Sequence, residues 1–167
     1  MSQAHELHSV INKWHERVSK TQNAHYEAGG MYEKSFICLG TIVIIASATL
    51  GGIDVLVPSG DGPFSAENIK HYSGFISLFI AIVAGLQTFL KLSQRAERHH
   101  LAGANYGEVR RSLEEIVIIC EVSEAEAMDR LHRIKKEMDS YAIQSPQIPK
   151  KILTKYIDLQ SSDKESK

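Results

Sequence analysis

Two long runs of apolar residues dominate the pattern of hydrophobic and polar positions along the chain. The first covers residues 36–53 and the second residues 72–90, and neither contains Asp, Glu, Lys or Arg. At a helical rise of about 1.5 Å per residue, each run crosses a hydrocarbon core of about 30 Å when it takes in one or two flanking residues. The pattern therefore predicts transmembrane helices over residues 36–57 and 72–90, joined by a short external loop over residues 58–71.

A different pattern precedes the first run, where apolar or neutral residues recur every three or four positions between charged ones. This spacing is typical of an amphipathic helix, and it predicts one over residues 1–35. The positions that form its apolar face are Leu7, Ile11, Trp14, Val18, Thr21, His25, Ala28 and Tyr32.

The same spacing returns after the second run and predicts a cytoplasmic helical region over residues 91–159. Its first helix carries an apolar face of Leu92, Ala96, His99, Gly103, Tyr106, Val109, Leu113, Ile116 and Cys120. Ser123 and Glu126 have the spacing of a capping box, so a second helix is expected to begin there. The apolar face of that second helix consists of Met128, Leu131, Ile134, Met138 and Tyr141. We expect the two helices to pair in antiparallel fashion, joined by the N-terminal helix.

Two prolines, Pro146 and Pro149, predict the end of that helical pair. The residues that follow suggest a short amphipathic turn or helix that docks back, through Ile152, Leu153, Tyr156 and Ile157. Residues 160–167 have the composition of a disordered tail.

Basic residues are distributed unequally on the two sides of the predicted spans. The loop carries Asp61, Glu67 and Lys70, whereas five basic residues follow the second span closely: Lys91, Arg95, Arg98, Arg110 and Arg111. Because cytoplasmic segments are enriched in Lys and Arg, both termini are expected in the cytoplasm. A cleaved signal peptide is disfavoured, since about thirty-five residues of mixed charge precede the first run. The fold class predicted is an all-α membrane protein, a two-transmembrane helical hairpin with N- and C-terminal amphipathic cytoplasmic helices.

One side of the second span carries a stripe of small and polar residues. Its members are Ser73, Ser77, Ala81, Ala84, Gly85, Gln87 and Thr88. Two interpretations are open. The stripe can form a close helix–helix contact in which Gln87 makes an interhelical hydrogen bond, or it can line a water-filled path in an oligomer.

Composition and charge remove several classes of function. The net charge of -1 gives no general attraction to nucleic acid. The eight histidines show no metal-ligand spacing, and the two cysteines are expected to be core residues without a disulfide. No phosphate loop and no nucleophile elbow is present, and no paired carboxylates lie inside a predicted pocket. The chain is therefore expected not to be an enzyme and to use no cofactor or metal.

The order of these parts resembles the SLATT family, the SMODS- and SLOG-associating two-transmembrane effector domains. The resemblance extends from about Leu7 to Tyr156 and rests on a Trp-containing amphipathic helix, two spans and two motifs. The first motif runs from Arg95 to Arg111, and the second is the Ser-Pro-Gln-Ile-Pro sequence at residues 145–149. The cytoplasmic residues that match the family motif are Arg95, Glu97, His99, Tyr106 and Arg110.

The resemblance implies a bacterial anti-phage effector in the inner membrane, which oligomerises and forms a pore or disrupts the membrane on activation. Its implied partners are membrane lipids, further copies of the chain and a separately encoded nucleotide-second-messenger synthase or sensor. The alternative is a membrane-anchored helical interaction module, or scaffold, without conductance.

Overall fold

The computed structural model describes residues 2–56, 66–120 and 123–156, of which 95% are helical and none lies in a strand. Four helices follow one another along the chain. They are α1 (Ser2–Leu56), α2 (Ala66–Leu90), α3 (Leu92–Cys120) and α4 (Glu124–Gln144). A further helical stretch covers residues 150–156. The predicted tail, the last residue of the first predicted span (Val57) and residues 58–65 of the predicted loop lie outside the described residues.

Two segments are long and apolar enough to cross a membrane, but they are longer than predicted. They cover His5–Gly52 and Tyr72–Ile119, with 48 residues each. The predicted all-α class with two candidate membrane-spanning segments is confirmed, but these segments do not form a short hairpin, because the first apolar run is the C-terminal part of the 55-residue helix α1. No proline lies between residues 2 and 56, and Gly29 and Gly30 each cost a helix only about 1 kcal/mol. Nothing in the sequence therefore interrupts the helix before the apolar run.

The second segment contains one backbone irregularity, at Lys91 between α2 and α3. Its φ of 48° lies in the left-handed region, which residues other than glycine rarely adopt. At its other end α2 begins at Ala66, so residues 66–71 are helical instead of belonging to the loop.

The chain divides into two units. The bundle unit comprises Met1–Met31 and Arg95–Lys167. Its core is formed by the N-terminal part of α1 packed with α3 and α4. The buried residues of this core are Leu7, Ile11, Val18, Tyr106, Val109, Leu113, Ile116, Ala127, Leu131 and Ile134. Every described position of the predicted apolar face on α3 is buried, from Leu92 to Ile116.

The start of α4 confirms the predicted capping residue and corrects one core position. The Ser123 hydroxyl accepts a hydrogen bond from the backbone amide of Glu126 at 3.4 Å. Met128 was expected in the core but is exposed, and Ala127 is buried in its place. The physical reason is a shift of one position on the helix, since Ala127, Leu131 and Ile134 recur four and three residues apart on the buried face of α4.

The C-terminal arm, residues 145–156, docks on α1 within the bundle unit. Ile152 is buried against Ala24 and Ala28, with Ile148 and Tyr156 packed around them. The expectation that this segment folds back is confirmed for Ile152 and Tyr156. Leu153 is exposed, and Ile157 lies outside the described residues.

The helix-pair unit comprises Tyr32–Gln94 and contains the later part of α1 together with α2. Within residues 32–52 and 72–91, no described side chain is fully buried. Two helices alone can cover only one face of each other, so the remaining faces of this unit stay open.

Candidate functional site

The contact between α1 and α2 in the helix-pair unit follows one partly covered face on each helix. On α1 the less exposed positions recur every three or four residues, at Leu39, Val43, Ala46 and Leu50. On α2 the corresponding positions are Ser73, Ile80, Val83, Ala84, Gln87 and Leu90. This spacing is that of two helices packed side by side, with the other faces open.

The predicted small and polar stripe is divided by this contact. Ser73, Ala84 and Gln87 lie on the face that α1 partly covers. The Gln87 side chain donates through Nε2 to the backbone carbonyl of Phe36 on α1, at 3.2 Å. A methyl group added to Gly40 would lie 3.3 Å from the same amide nitrogen, so Gly40 leaves room for it. The interhelical hydrogen bond of the packing interpretation is therefore present.

The rest of the stripe is exposed. Ser77, Ala81, Gly85 and Thr88 recur at helical spacing on the open surface of α2. The Thr88 hydroxyl donates to the Ala84 carbonyl on its own helix at 3.0 Å, which satisfies that hydroxyl without a partner helix. This exposed row is the part of the stripe that a second copy or a water-filled path can contact.

Two of the cytoplasmic motif residues, His99 and Tyr106, both contact His25 in the bundle unit. His25 on α1 and His99 on α3 are each only 2% exposed, and their Nδ1 atoms lie 3.1 Å apart. One imidazole donates this hydrogen bond and the other accepts it. The Tyr106 ring stacks on His25, with centroids 5.6 Å apart and planes inclined by 14°.

The buried position of this histidine pair favours neutral rings. Burial, and then the neighbouring His99 imidazole, lowers the pKa of His25 to about 4. Burial, and then His100, lowers the pKa of His99. At neutral pH the pair is therefore an uncharged hydrogen-bonded contact between two helices. A charge on both rings would remove the hydrogen bond, because neither ring would have an acceptor nitrogen left.

The other motif residues do not join this cluster. Arg95 and Glu97 are exposed on α3. Arg110 is half-buried and lies 3.5 Å from Glu114, whose carboxylate also contacts His15 on α1 at 3.0 Å. The five motif residues are thus divided among a buried contact, a surface ion pair and an open helix face.

A feature of α3 that the prediction missed is its close approach to α1. A methyl group at Gly103 would lie 3.0 Å from the Tyr26 ring, and one at Gly107 would lie 2.5 Å from the Gln22 amide nitrogen. On α1, a methyl group at Gly29 would lie 2.9 Å from His100 Nε2. The sequence signal was the four-residue separation of Gly103 and Gly107, a spacing that lets helix backbones come close.

An open groove lies between α3 and α4 in the bundle unit, with a volume of about 380 Å³. Ile116 and Ile134 contribute apolar surface to it, and charged side chains of α4 line it. Arg130 is paired with Glu126 at 2.9 Å, one turn earlier on the same helix. Among the residues that the structure describes, no three His, Cys, Asp or Glu side chains come together as metal ligands would.

Comparison with known proteins finds no match for this chain among protein-family models, curated proteins or solved structures. The resemblance to the SLATT family stays a prediction that rests on the residues quoted for it.

Proposed function

We propose that the protein is an effector of a bacterial anti-phage, nucleotide-signalling defence system that sits in the inner membrane. In this proposal it assembles with further copies and opens a path through the membrane on activation. The observation that carries the proposal is the exposure of its two apolar segments. Of the most apolar window in each segment, 0% and 6% of the residues are buried.

That exposure separates a membrane span from the core helix of a soluble protein. A core helix hides its apolar side chains, whereas here Ile44 is 70% exposed and Phe89 is 82% exposed. Each Å² of apolar surface left in water costs about 25 cal/mol, so an open face of this kind is stable in lipid and unfavourable in water. The bundle unit, by contrast, encloses a core of its own.

The basic residues after the second span support an orientation with both termini in the cytoplasm. In this orientation the bundle unit lies on the side where a nucleotide-producing or nucleotide-sensing partner would be found. The partner, the nucleotide signal and the defence role come from the resemblance to the SLATT family. We assign the response to the bundle unit because it contains four of the helical segments and both buried clusters.

The path through the membrane is assigned to the exposed part of the stripe. Ser77, Ala81, Gly85 and Thr88 present small and hydroxyl side chains on one open face of α2. Several copies in a ring would bring these faces together around a central axis. Gln87 contributes to the packing of α2 on α1 in each copy, through its hydrogen bond to Phe36.

Inducible expression with a membrane-potential dye tests this proposal. Wild-type protein is expected to depolarise the cells when expressed at a high level or together with its activating partner. The double variant Ala81→Leu/Gly85→Leu fills the small face and is expected to abolish depolarisation. The matched control Ile82→Leu changes a lipid-exposed neighbour and should depolarise like the wild type.

Two outcomes would overturn the proposal that the protein forms a pore. One is a folded, membrane-inserted protein that never changes the potential under any trigger. The other is depolarisation that is the same in the double variant and the wild type.

The alternative function is a membrane-anchored interaction module, or scaffold, in which the spans are only a tether. The exposed surface of the bundle unit, including Ile118 and Ile143, is the observation that favours it. Replacing residues 36–53 and 72–90 by unrelated apolar helices would then leave function intact. Under the pore proposal the same replacement abolishes function, so this single chimera separates the two.

A further inference from the structure

Two arginines near the start of α3, Arg95 and Arg98, belong to neither of the buried clusters of the bundle unit. Both side chains are exposed. Because each residue of a helix turns by about 100°, Arg95 and Arg98 lie about 60° apart, on one face of α3. Glu97 stands between them in the sequence but lies about 160° from Arg95 around the helix. The two positive charges therefore share a face that the nearest acidic residue of the helix does not.

The chain supplies no counter-charge for this face. No carboxylate of the described residues forms an ion pair with Arg95 or Arg98. This differs from α4, where Arg130 and Arg133 each contact a carboxylate one turn earlier, at 2.9 and 2.6 Å. Four residues before Arg95 the sequence has Lys91, a charge of the same sign. Repulsion between these like charges makes an anion from outside the chain favourable here.

The position of the two arginines in the chain indicates which anion is within reach. Arg95 follows Leu90, the last residue of α2, by five positions. Five residues rise about 7.5 Å along a helix and reach at most about 18 Å when fully extended. The polar headgroup layer on each side of a bilayer is about 5–7 Å thick. When the second apolar run spans a bilayer, the phosphate groups of that layer are therefore the nearest anions to Arg95.

The side chains suit a phosphate group. A guanidinium group is planar and always charged, and it can donate two parallel hydrogen bonds to a pair of phosphate oxygens. We propose that Arg95 and Arg98 bind the phosphate headgroups of anionic phospholipids at the cytoplasmic surface of the membrane. Each basic residue near an anionic membrane surface strengthens binding about fivefold, so the two arginines together contribute about thirtyfold.

The proposed site selects for the net charge of the lipid headgroup. A phosphatidylcholine headgroup also carries a phosphate, but its own ammonium group cancels that charge. Phosphatidylglycerol has no such group and keeps its negative charge, so it is the lipid expected to bind. This inference rests on the membrane insertion and orientation of the proposed function, and it does not depend on conductance.

Thermal unfolding of the purified full-length protein in a neutral detergent tests this inference. Phosphatidylglycerol or phosphatidylcholine is added to the micelles, and unfolding is followed by the fluorescence of Trp14, which packs against the bundle core. A ligand that binds only the folded protein raises the midpoint by mass action. The midpoint is expected to rise with phosphatidylglycerol and to stay unchanged with phosphatidylcholine. Inorganic phosphate at the same concentration is expected to have no effect, because it is not held at the micelle surface.

Two matched variants assign the effect to the arginines. Arg95→Gln/Arg98→Gln should need about thirtyfold more phosphatidylglycerol for the same rise in midpoint. Lys135→Gln/Lys136→Gln removes the same net charge from exposed positions of α4 and should respond like the wild type. A third variant, Arg95→Lys/Arg98→Lys, keeps both charges and should bind phosphatidylglycerol more tightly than the glutamine variant. All four proteins should have the same midpoint without lipid, since these side chains are exposed.

Three results would overturn the lipid site. They are an equal response to the two lipids, an equal response of the two glutamine variants, and a rise with inorganic phosphate as large as that with phosphatidylglycerol. Depolarisation of cells by a protein that shows no lipid preference would sink the site and leave the proposed function standing. A clear preference for phosphatidylglycerol in a protein that never depolarises cells would support the site and count against the pore.

Discussion

At the scale of single residues, the His25–His99 pair makes the stability of the bundle unit depend on pH. The unfolded chain binds a proton at His25 with the ordinary pKa of 6.5, whereas the folded chain binds it only near 4. As the pH falls from 6.5 towards 4, the unfolded state therefore gains protons that the folded state does not take up. Full stability is present above about pH 6.5, and on the order of 3 kcal/mol is expected to be lost by pH 4.

Thermal unfolding in detergent, followed by the fluorescence of Trp14, measures this loss. Trp14 is the single tryptophan and packs against the bundle core. The double variant His25→Gln/His99→Gln removes both titrating groups and should flatten the pH dependence between 7.5 and 5. The control His132→Gln changes an exposed imidazole on α4 and should keep the wild-type slope. Equal slopes in all three proteins would contradict the prediction.

Two adjacent glycines in α1 offer a matched test of close helix packing. Alanine in place of glycine stabilises a helix by about 1 kcal/mol when there is room for the methyl group. Gly30 has nothing within 4 Å of that position, whereas at Gly29 the methyl group would lie 2.9 Å from His100. Gly30→Ala is therefore expected to raise the midpoint of thermal unfolding, and Gly29→Ala to lower it relative to Gly30→Ala. Identical shifts for the two variants would show that α3 does not need the space at Gly29.

At the scale of helices, the amphipathic positions were predictable because burial follows the 3.6-residue period directly. This is why α3 was anticipated position by position, and why His25 and His99 were both placed on buried faces. The burial of Ala127 instead of Met128 could not be predicted, since both of these adjacent positions of α4 fit an apolar face. The contact between His25 and His99 could not be predicted either, because the helical periodicity of each segment does not set the register of two helices against each other.

The junction of α2 and α3 yields a prediction about the backbone at Lys91. A left-handed conformation costs a residue with a side chain about 1–2 kcal/mol relative to glycine. Lys91→Gly is therefore expected to stabilise the protein by about 1 kcal/mol. Lys34 lies inside α1, so Lys34→Gly should destabilise by a similar amount. Thermal unfolding of the two variants gives shifts of opposite sign if the turn at Lys91 has this conformation, and of the same sign otherwise.

At the scale of the whole molecule, the two apolar runs were visible in the sequence, but the lengths of their helices were not. An apolar run ends where charged residues begin, whereas a helix ends only where a proline, a cap or a turn interrupts it. Residues 2–35 and 36–53 differ in composition and yet belong to one continuous helix. Composition therefore located the apolar run, and the absence of proline decided the extent of the helix.

The arrangement across the membrane is the last property that can be predicted for the whole chain. Two spans would place both ends on the same side, and the basic residues after Leu90 predict that this side is the cytoplasm. In a Cys38→Ser/Cys120→Ser background, a single cysteine at Ser59 should react with a membrane-impermeant maleimide on intact spheroplasts. A cysteine at Glu137, exposed on α4, should react only after permeabilisation. Equal labelling of both positions before permeabilisation would mean that the chain does not cross the membrane twice. Labelling of Glu137→Cys alone would mean that it is inserted with its termini outside, away from any cytoplasmic nucleotide signal.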